Sequence, residues 1–129
     1  MKKTILLTAT CFGCLAIILG AFGAHALKSA IGTEASDTFE TGVKYQMYHA
    51  LFLLVIANLG MLSEKSKKII YTLVTSGIVL FSGSIYGLAT NALTAFDFKT
   101  IGIVTPIGGT LLIAAWVVLF FNFIKVKSK

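Results

Sequence analysis

The side chains best suited to chemistry in this chain are two histidines and the polar neighbours of one of them. Tyr45 and Gln46 precede His49, and His25 lies earlier in the sequence. Tyr45 and His49 are four residues apart, so on a helix their side chains share one face. If the two histidines approach each other, His25, Tyr45, Gln46 and His49 form one polar cluster.

This cluster has two interpretations that the sequence leaves open. Imidazole titrates near neutral pH, so the cluster could bind a small ligand or respond to protons. The same side chains could instead join helices within a membrane by hydrogen bonds. We predict no catalytic residue, metal site or haem, because no carboxylate or metal-binding set accompanies the histidines.

Cys11 and Cys14 have the CxxC spacing found in some zinc and redox sites. A zinc site of this kind needs a second pair of ligands, which the chain does not supply nearby. We therefore predict that both are small thiols in the packed interior and that the protein needs no cofactor.

Four long apolar runs carry these residues. Hydrophobic residues make up 57% of the 129 residues, and charged residues 12%. A hydrocarbon core of roughly 30 Å is crossed by a helix of about 20 apolar residues, and backbone groups within lipid must bond internally. We predict an all-α membrane protein, a four-transmembrane-helix bundle forming a single domain over residues 1–129, with spans at about 4–26, 43–62, 69–90 and 101–124.

The lysines predict the orientation of this bundle. The net charge is +6, and every basic residue is Lys. Positive loops remain in the cytoplasm, so both termini and the second loop are predicted to be cytoplasmic. The same lysines favour contact with anionic lipid rather than nucleic acid. The lysines on the predicted cytoplasmic side are Lys2, Lys3, Lys65, Lys67, Lys68, Lys125, Lys127 and Lys129.

The first run has an alternative interpretation as a secretory signal. Lys2 and Lys3, an apolar run and then Ala24-His25-Ala26 imitate a signal peptide with a small-residue cleavage site. The run is longer than the apolar part of a usual signal, and its glycines resemble packing positions. We therefore expect it to remain as a span.

The segment between the first two runs is predicted to be the longest external connection. Leu27, Ala30 and Ile31 are expected to form a short interfacial helix that ends at Gly32. Asp37 and Glu40 have the spacing of a capping box, which predicts that the second helix begins there.

Small residues recur where membrane helices would pack. Such residues let two helix backbones approach closely, because lipid provides no hydrophobic drive for helices to associate. The predicted packing positions are Gly13, Gly20, Gly23, Gly83, Gly87 and Gly109. An alternative is that the small-residue face of the first run lines a passage.

Several motifs resemble one family of small membrane proteins, the family called domain of unknown function 423. Residues 20–27, GAFGAHAL, resemble its opening motif. Residues 45–51, 81–86 and 105–109 fit its later motifs in the expected order. The resemblance implies a bacterial plasma-membrane protein with several spans, and it implies no activity.

Taken together, these features predict a non-enzymatic structural, accessory or partner-binding role, with the polar cluster in the outer half of the bundle. The alternative is a small oligomeric transporter or channel in which His49 and the small-residue faces line a path. The predicted partners are membrane lipids and either a further copy of the chain or another membrane protein.

Overall fold

The computed structural model describes residues 1–93 and 102–127, and those residues are almost entirely helical. The α-helices are α1 (Lys2–Phe22), α2 (Lys28–Asn58), α3 (Glu64–Ala89) and α4 (Val104–Ile124). A π-helical turn, Gly23–Leu27, joins α1 to α2, and a 3₁₀ turn, Asn91–Leu93, follows α3. The start of the predicted fourth span at Ile101 and the terminal Lys129 lie outside the described residues.

Three helical stretches in the described residues are long and apolar enough to cross a membrane. They are Lys2–Asn58, Glu64–Ala89 and Val104–Ile124. The first has 57 residues, which would extend roughly 85 Å as a straight helix and is therefore long enough for two crossings of a bilayer core of roughly 30 Å. The prediction of an all-helical chain built from long apolar helices is confirmed.

The long first stretch doubles back at Gly32. This residue has φ 84° and ψ 171°, a backbone conformation that essentially only glycine adopts. On either side of it the helices run antiparallel, so that Gly13 faces Ala50 and Gly20 faces Val43. Gly32 therefore ends the preceding helical segment, as predicted.

The predicted capping box is wrong. The helix resumes directly after Gly32, and Asp37 already lies inside it, with its carbonyl accepting a bond from the Thr41 hydroxyl. Because one glycine makes the whole reversal, the helix needs no new start at Asp37. The expected interfacial helix over Leu27–Ile31 is instead part of the helical hairpin.

The remaining helices also pack antiparallel to their neighbours in sequence. Gly42 of α2 lies against Ile85 and Tyr86 of α3. Gly108 of α4 lies so close to α3 that a Cβ there would be 2.3 Å from the Phe81 backbone nitrogen. A shared core fills the space between the helices, and its most deeply buried large residues include Ile5, Leu53, Ile56, Ile70 and Val74.

Antiparallel packing gathers most of the described lysines at one end of the bundle, which we call the lysine-rich end. It comprises the start of α1, the turn between α2 and α3, and the end of α4. Ser63 caps α3 by accepting a bond from the Ser66 backbone N–H, and Ser66 in turn donates to Asn122 Oδ1 at 2.7 Å. The buried Lys67 ammonium donates to the Ala57 carbonyl in the last turn of α2. These bonds fix the turn, so α2 ends before the predicted Leu62 and α3 begins before residue 69.

Two groups of predicted interior residues point outward instead. Gly83 is exposed, and a Cβ there would meet nothing within 4 Å, so it packs against no other helix of the described chain, and a packing role against a further chain stays a prediction. Ser82 and Ile85, its neighbours on α3, are the residues that face the bundle. Cys11 and Cys14 are also exposed, because they lie opposite the face of α1 that packs on α2, and they are not core thiols.

Of the other predicted packing glycines, Gly13, Gly20 and Gly23 lie where α1 meets α2, and Gly109 lies against the Phe81 ring. Gly87 is half-buried, and its packing role stays a prediction. The two tightest approaches are at Gly108 and Gly77, which were not among the predicted packing glycines, and Gly42, also not predicted, is as close to its neighbours as the predicted Gly23. Their neighbours in space come from distant parts of the sequence, so spacing within one helix does not reveal them.

Candidate functional site

His49 lies on α2 with only 5% of its surface exposed, and both of its ring nitrogens have partners. Nδ1 is 2.8 Å from the backbone carbonyl oxygen of Tyr45, one turn earlier. On the other side, Trp116 of α4 donates its indole N–H to His49 Nε2 at 3.1 Å. The histidine therefore connects its own helix to α4.

These two partners determine the protonation state of the ring. A carbonyl oxygen can only accept a hydrogen bond, and an indole N–H can only donate one. Nδ1 must therefore carry the proton, and Nε2 must be the unprotonated acceptor. His49 is a neutral imidazole in this arrangement, since a second proton would point at the indole hydrogen.

Aromatic rings surround this histidine. The Tyr45 ring lies nearly parallel to the imidazole, with ring centroids 6.4 Å apart, and it meets Phe81 edge-on at 5.1 Å. On the lysine-rich side, Phe52 packs on Trp116 with centroids 4.2 Å apart. The result is an aromatic wall contributed by α2, α3 and α4.

Two adjoining pockets lie between α2 and α4, and we call them together the α2/α4 groove. The upper pocket has a volume of about 300 Å³ and contains the His49–Trp116 pair. The lower pocket, of about 310 Å³, continues towards the lysine-rich end, and Trp116 lines both. The upper pocket is lined by Tyr45, His49, Phe81, Gly109, Leu112, Ile113 and Trp116. The lower one is lined by Tyr48, Leu51, Phe52, Val55, Leu59, Trp116, Leu119 and Phe123.

The groove is open at its rim and uncharged. Half of the Trp116 surface and 65% of the Ile113 surface are exposed there, whereas His49 lies deeper. Among the residues that line the two pockets, none is Asp, Glu, Lys or Arg. The polar atoms that the lining offers belong to neutral side chains, namely the tyrosines, His49 and Trp116.

Gln46 points towards α1 and α3 and does not line this groove. Its side-chain amide donates to the Phe12 carbonyl of α1 at 2.8 Å. Its amide oxygen accepts a bond from the Tyr86 hydroxyl of α3 at 2.6 Å. One buried glutamine thus joins three helices, which is the polar link expected between helices within lipid.

His25 is exposed in the π-helical turn and does not approach His49. Gly13 contacts Ala50, the neighbour of His49, so Gly13 marks the point along α1 that lies level with His49. His25 lies twelve residues beyond Gly13, or roughly 18 Å along a helix that rises 1.5 Å per residue. The structure therefore brings Tyr45 and His49 together, turns Gln46 towards α1 and α3, and leaves His25 apart.

A smaller pocket of about 190 Å³ lies between α1 and α2, near the reversal. Its polar groups already have partners. The Ser36 hydroxyl donates to the Gly23 carbonyl at 3.1 Å, and the exposed Lys44 and Glu40 pair at 3.7 Å. Unlike the α2/α4 groove, this pocket therefore has charged side chains in its lining.

Trp116 and Phe81 were not predicted from the sequence to belong to the site. A signal for the tryptophan was present, because its indole N–H lies well inside an apolar run and a buried indole usually finds an acceptor. No comparable signal identifies Phe81, which reaches the groove only because α3 packs between α2 and α4.

The arrangement suits binding of an uncharged molecule better than metal chemistry. Within residues 1–93 and 102–127, no group of three or more His, Cys, Asp or Glu side chains is placed to hold a metal ion. The histidine is neutral, hydrogen-bonded at both nitrogens and oriented towards an apolar groove.

Comparison with known proteins identifies the family. The profile described as "Protein of unknown function (DUF423)" matches residues 19–109. The UPF0382 membrane protein of Haemophilus influenzae is 34% identical over 128 residues, covering 99% of both chains. The UPF0382 inner membrane protein of Escherichia coli is 35% identical over 130 residues, covering 99% of this chain and 95% of its own.

A third relative, the UPF0382 membrane protein of Bacillus subtilis, is 40% identical over 116 residues, covering 86% of this chain and 88% of its own. No solved structure matches the chain. The profile match covers more than half of the chain, and these relatives align along most of their length, which confirms the resemblance drawn from the motifs. The chain therefore belongs to the DUF423 family of membrane proteins.

Proposed function

We propose that this protein is a non-enzymatic accessory protein of the bacterial cell membrane that binds an amphipathic molecule from the bilayer in the α2/α4 groove. The name of the Escherichia coli relative, an inner membrane protein, supports this location. The neutral state of His49 and the uncharged lining support binding rather than turnover. Membrane lipids are accordingly the surrounding partners, and nucleic acid is not one.

We also propose that α1 to α4 are four membrane spans with both termini in the cytoplasm. The reversal at Gly32 supports two crossings within Lys2–Asn58. The gathering of lysines at one end supports the orientation, because positively charged loops stay on the cytoplasmic side. In this orientation the groove runs from the outer half of the bundle towards the cytoplasmic leaflet.

One observation carries the binding proposal: the His49–Trp116 hydrogen bond lies in the wall of an open groove. Polar groups at membrane depth are costly and usually face the interior of a bundle or a cavity. Gln46, Tyr86 and Ser82 follow that pattern and join helices inside the bundle. The His49–Trp116 pair instead borders two adjoining pockets that a membrane molecule can enter from the side.

The packing of the small-residue faces favours this proposal over a transporter or channel. A path along α1 would need open space beside its glycines. Instead, Val43 lies 3.3 Å from where a Cβ of Gly20 would be, and Phe39 lies 2.8 Å from the same position at Gly23. Neighbouring side chains therefore approach these glycines closely, and the 190 Å³ pocket beside Gly20 and Gly23 is confined to the region near the reversal.

Native mass spectrometry of protein gently extracted from its own membrane tests the binding proposal. We compare the wild type with Ile113→Phe, which adds volume at the rim of the upper pocket. The matched control is Ile17→Phe on α1, because Ile17 is 66% exposed and Ile113 is 65% exposed. We expect a small molecule of one mass on the wild type and on the control, and its loss from Ile113→Phe.

Two outcomes would contradict the proposal. The first is a wild-type protein that carries only a mixture of bulk lipids. The second is a retained mass that Ile113→Phe and Ile17→Phe affect equally, which would place the molecule elsewhere. Circular dichroism of each variant checks that the helices are intact.

A further inference from the structure

The α2/α4 groove is divided into two parts of different chemistry. In the upper pocket, the neutral polar atoms of Tyr45, His49 and Trp116 lie among aromatic rings. The lower pocket is walled almost wholly by apolar side chains and contains one polar side chain, Tyr48. Trp116 lines both pockets, so a single molecule can place a polar head in one and an apolar tail in the other.

The head that suits the upper pocket carries no charge. Placing an ion beside this lining would cost a large desolvation free energy with no opposite charge to offset it. This argues against a phosphate or a carboxylate as the bound head. Most lysines that would attract such groups lie at the lysine-rich end, beyond the lower pocket. Lys44, next to Tyr45 in the sequence, lines the pocket between α1 and α2 and pairs with Glu40.

The lining also favours a flat ring over a chain. Tyr45 and Trp116 are 41% and 50% exposed, so both rings present surface to the pocket. Aromatic rings associate in offset or edge-to-face contacts with centroids about 4.5–7 Å apart, and these contacts add to simple burial. A planar ring in the upper pocket can make such contacts with Tyr45, Phe81 and Trp116.

One hydrogen-bond donor remains free to recognise the head. The indole N–H of Trp116 is taken by His49. The Tyr45 hydroxyl, by contrast, makes no hydrogen bond to the rest of the described chain. A phenolic O–H that lines an apolar pocket is suited to a carbonyl acceptor on the ligand.

The tail has a path of suitable length. From Tyr45 to Leu59, α2 rises roughly 21 Å at 1.5 Å per residue. This exceeds half of a hydrocarbon core of roughly 30 Å, so a long apolar tail can lie along α2 and α4 while the head stays near His49.

We propose that the ligand of the α2/α4 groove is a quinone, that is, a flat, uncharged, carbonyl-bearing ring on a long apolar tail. The inference rests on the proposed binding function and names the chemical class of its ligand. The Tyr45 hydroxyl donates to a ring carbonyl, the aromatic wall packs on the ring, and the lower pocket holds the tail. Binding involves no electron transfer by the protein.

The chain provides its own probe, because Trp116 is its only tryptophan. We titrate a benzoquinone with a decyl tail into the protein in lipid vesicles and measure quenching of tryptophan fluorescence. Binding at the groove predicts saturable quenching. Free tryptophan octyl ester in protein-free vesicles reports the non-saturable quenching caused by quinone dissolved in lipid.

Three comparisons sharpen this test. Ile113→Phe should abolish the saturable phase, and Ile17→Phe should leave it unchanged. Tyr45→Phe keeps the ring and removes the hydroxyl, so half-saturation should rise about three- to tenfold, as expected for one lost hydrogen bond. Decanol, which has the tail without the ring, should not displace the bound quinone at concentrations where unlabelled quinone does.

Quenching that rises linearly and matches the free tryptophan ester would overturn the proposal. So would equal displacement by decanol, which would show that the groove selects only an apolar chain. If mass spectrometry still finds a molecule that Ile113→Phe removes, the groove remains a binding site and only the ring assignment fails. If neither experiment detects a ligand, the binding function itself fails.

Discussion

Trp116 donates its indole hydrogen to His49 across the gap between α2 and α4, with 3.1 Å between the two nitrogens. The contacts between the described parts of these helices include this pair and the neighbouring Phe52–Trp116 ring contact. Both helices pack on α3, which forms the floor of the groove. The hydrogen bond therefore fixes the width of an opening that close helix packing does not set.

The first prediction concerns the strength of that bond. In a double-mutant cycle of His49→Leu, Trp116→Phe and the double variant, we expect a coupling free energy of about 0.6 kcal/mol, with an upper limit near 1.7 kcal/mol, as measured for hydrogen bonds within membrane proteins. Thermal unfolding in detergent, followed by circular dichroism, gives the four stabilities. Strictly additive effects would show that the pair contributes no net stability.

The second prediction concerns Gln46, whose amide links α1, α2 and α3. Gln46→Leu removes both bonds and leaves the Tyr86 hydroxyl buried without its acceptor, so we expect a loss of about 1–3 kcal/mol in unfolding free energy. The matched control is Asn58→Leu. Asn58 is exposed, and its side chain bonds only within its own helix, to Leu54.

That control should change the unfolding free energy by less than about 0.5 kcal/mol. Tyr86→Phe supplies a further check, because it removes the donor and leaves the Gln46 amide oxygen unpaired. It should lower stability less than Gln46→Leu does, since the bond to Phe12 survives. An equal effect of Gln46→Leu and Asn58→Leu would mean that the three-helix link is not a stabilising one.

The third prediction compares Gly83, which was predicted from the sequence to be a packing position, with Gly108, which was not. A Cβ at Gly108 would lie 2.3 Å from the Phe81 backbone nitrogen, whereas a Cβ at Gly83 would meet nothing within 4 Å. Gly108→Ala must force α3 and α4 apart, and overpacking of this kind costs about 1–3 kcal/mol or more. Gly83→Ala should be neutral or stabilising by up to about 1 kcal/mol, because alanine favours a helix.

Thermal unfolding of both alanine variants in one detergent measures this difference directly. A destabilised Gly83→Ala with an intact Gly108→Ala would contradict the packing of α4 on α3. If both variants are destabilised, the outward face of α3 around Gly83 contacts another chain, and the dependence of unfolding on protein concentration would reveal that contact.

The sequence predicts the features of this structure that depend on residues close together in the chain. Helices are predicted well, because apolar runs of this length have few alternatives in lipid. Tyr45 and His49 are predicted to share a face, because a spacing of four residues defines that relation within one helix. Gly32 is predicted as a break, because glycine favours positive φ.

Relations between helices are not predictable in the same way. The contact of Gln46 with Tyr86, the position of Trp116 beside His49 and the close approach at Gly108 depend on helix rotation and register. The periodicity of one helix does not determine which of its faces meets which neighbour. That is why Gly83 and Cys11 were predicted to be buried and are instead exposed, and why His25 and His49 do not meet.

The last prediction concerns the reversal at Gly32. Here the backbone conformation, and not a lack of space, restricts which residue the position can accommodate. Gly32 has φ 84°, and a Cβ there would meet nothing within 4 Å. Gly32→Ala should therefore lower the unfolding free energy by about 1–3 kcal/mol, the cost of holding a non-glycine residue in this region of φ and ψ. Gly60 in the turn between α2 and α3 is the matched control, because it also has open space but no positive φ.

Gly60→Ala should leave stability within about 0.5 kcal/mol of wild type. A cysteine cross-link from position Ile17 to α2 would not reveal strain at Gly32, because α1 and α2 can stay packed when the turn between them is strained. Thermal unfolding is therefore the measurement of choice. Equal stabilities of the two alanine variants would mean that the chain reverses elsewhere than at Gly32. In that case the hairpin of α1 and α2 would need a longer connection, and the support that the reversal gives to two crossings within Lys2–Asn58 would be lost.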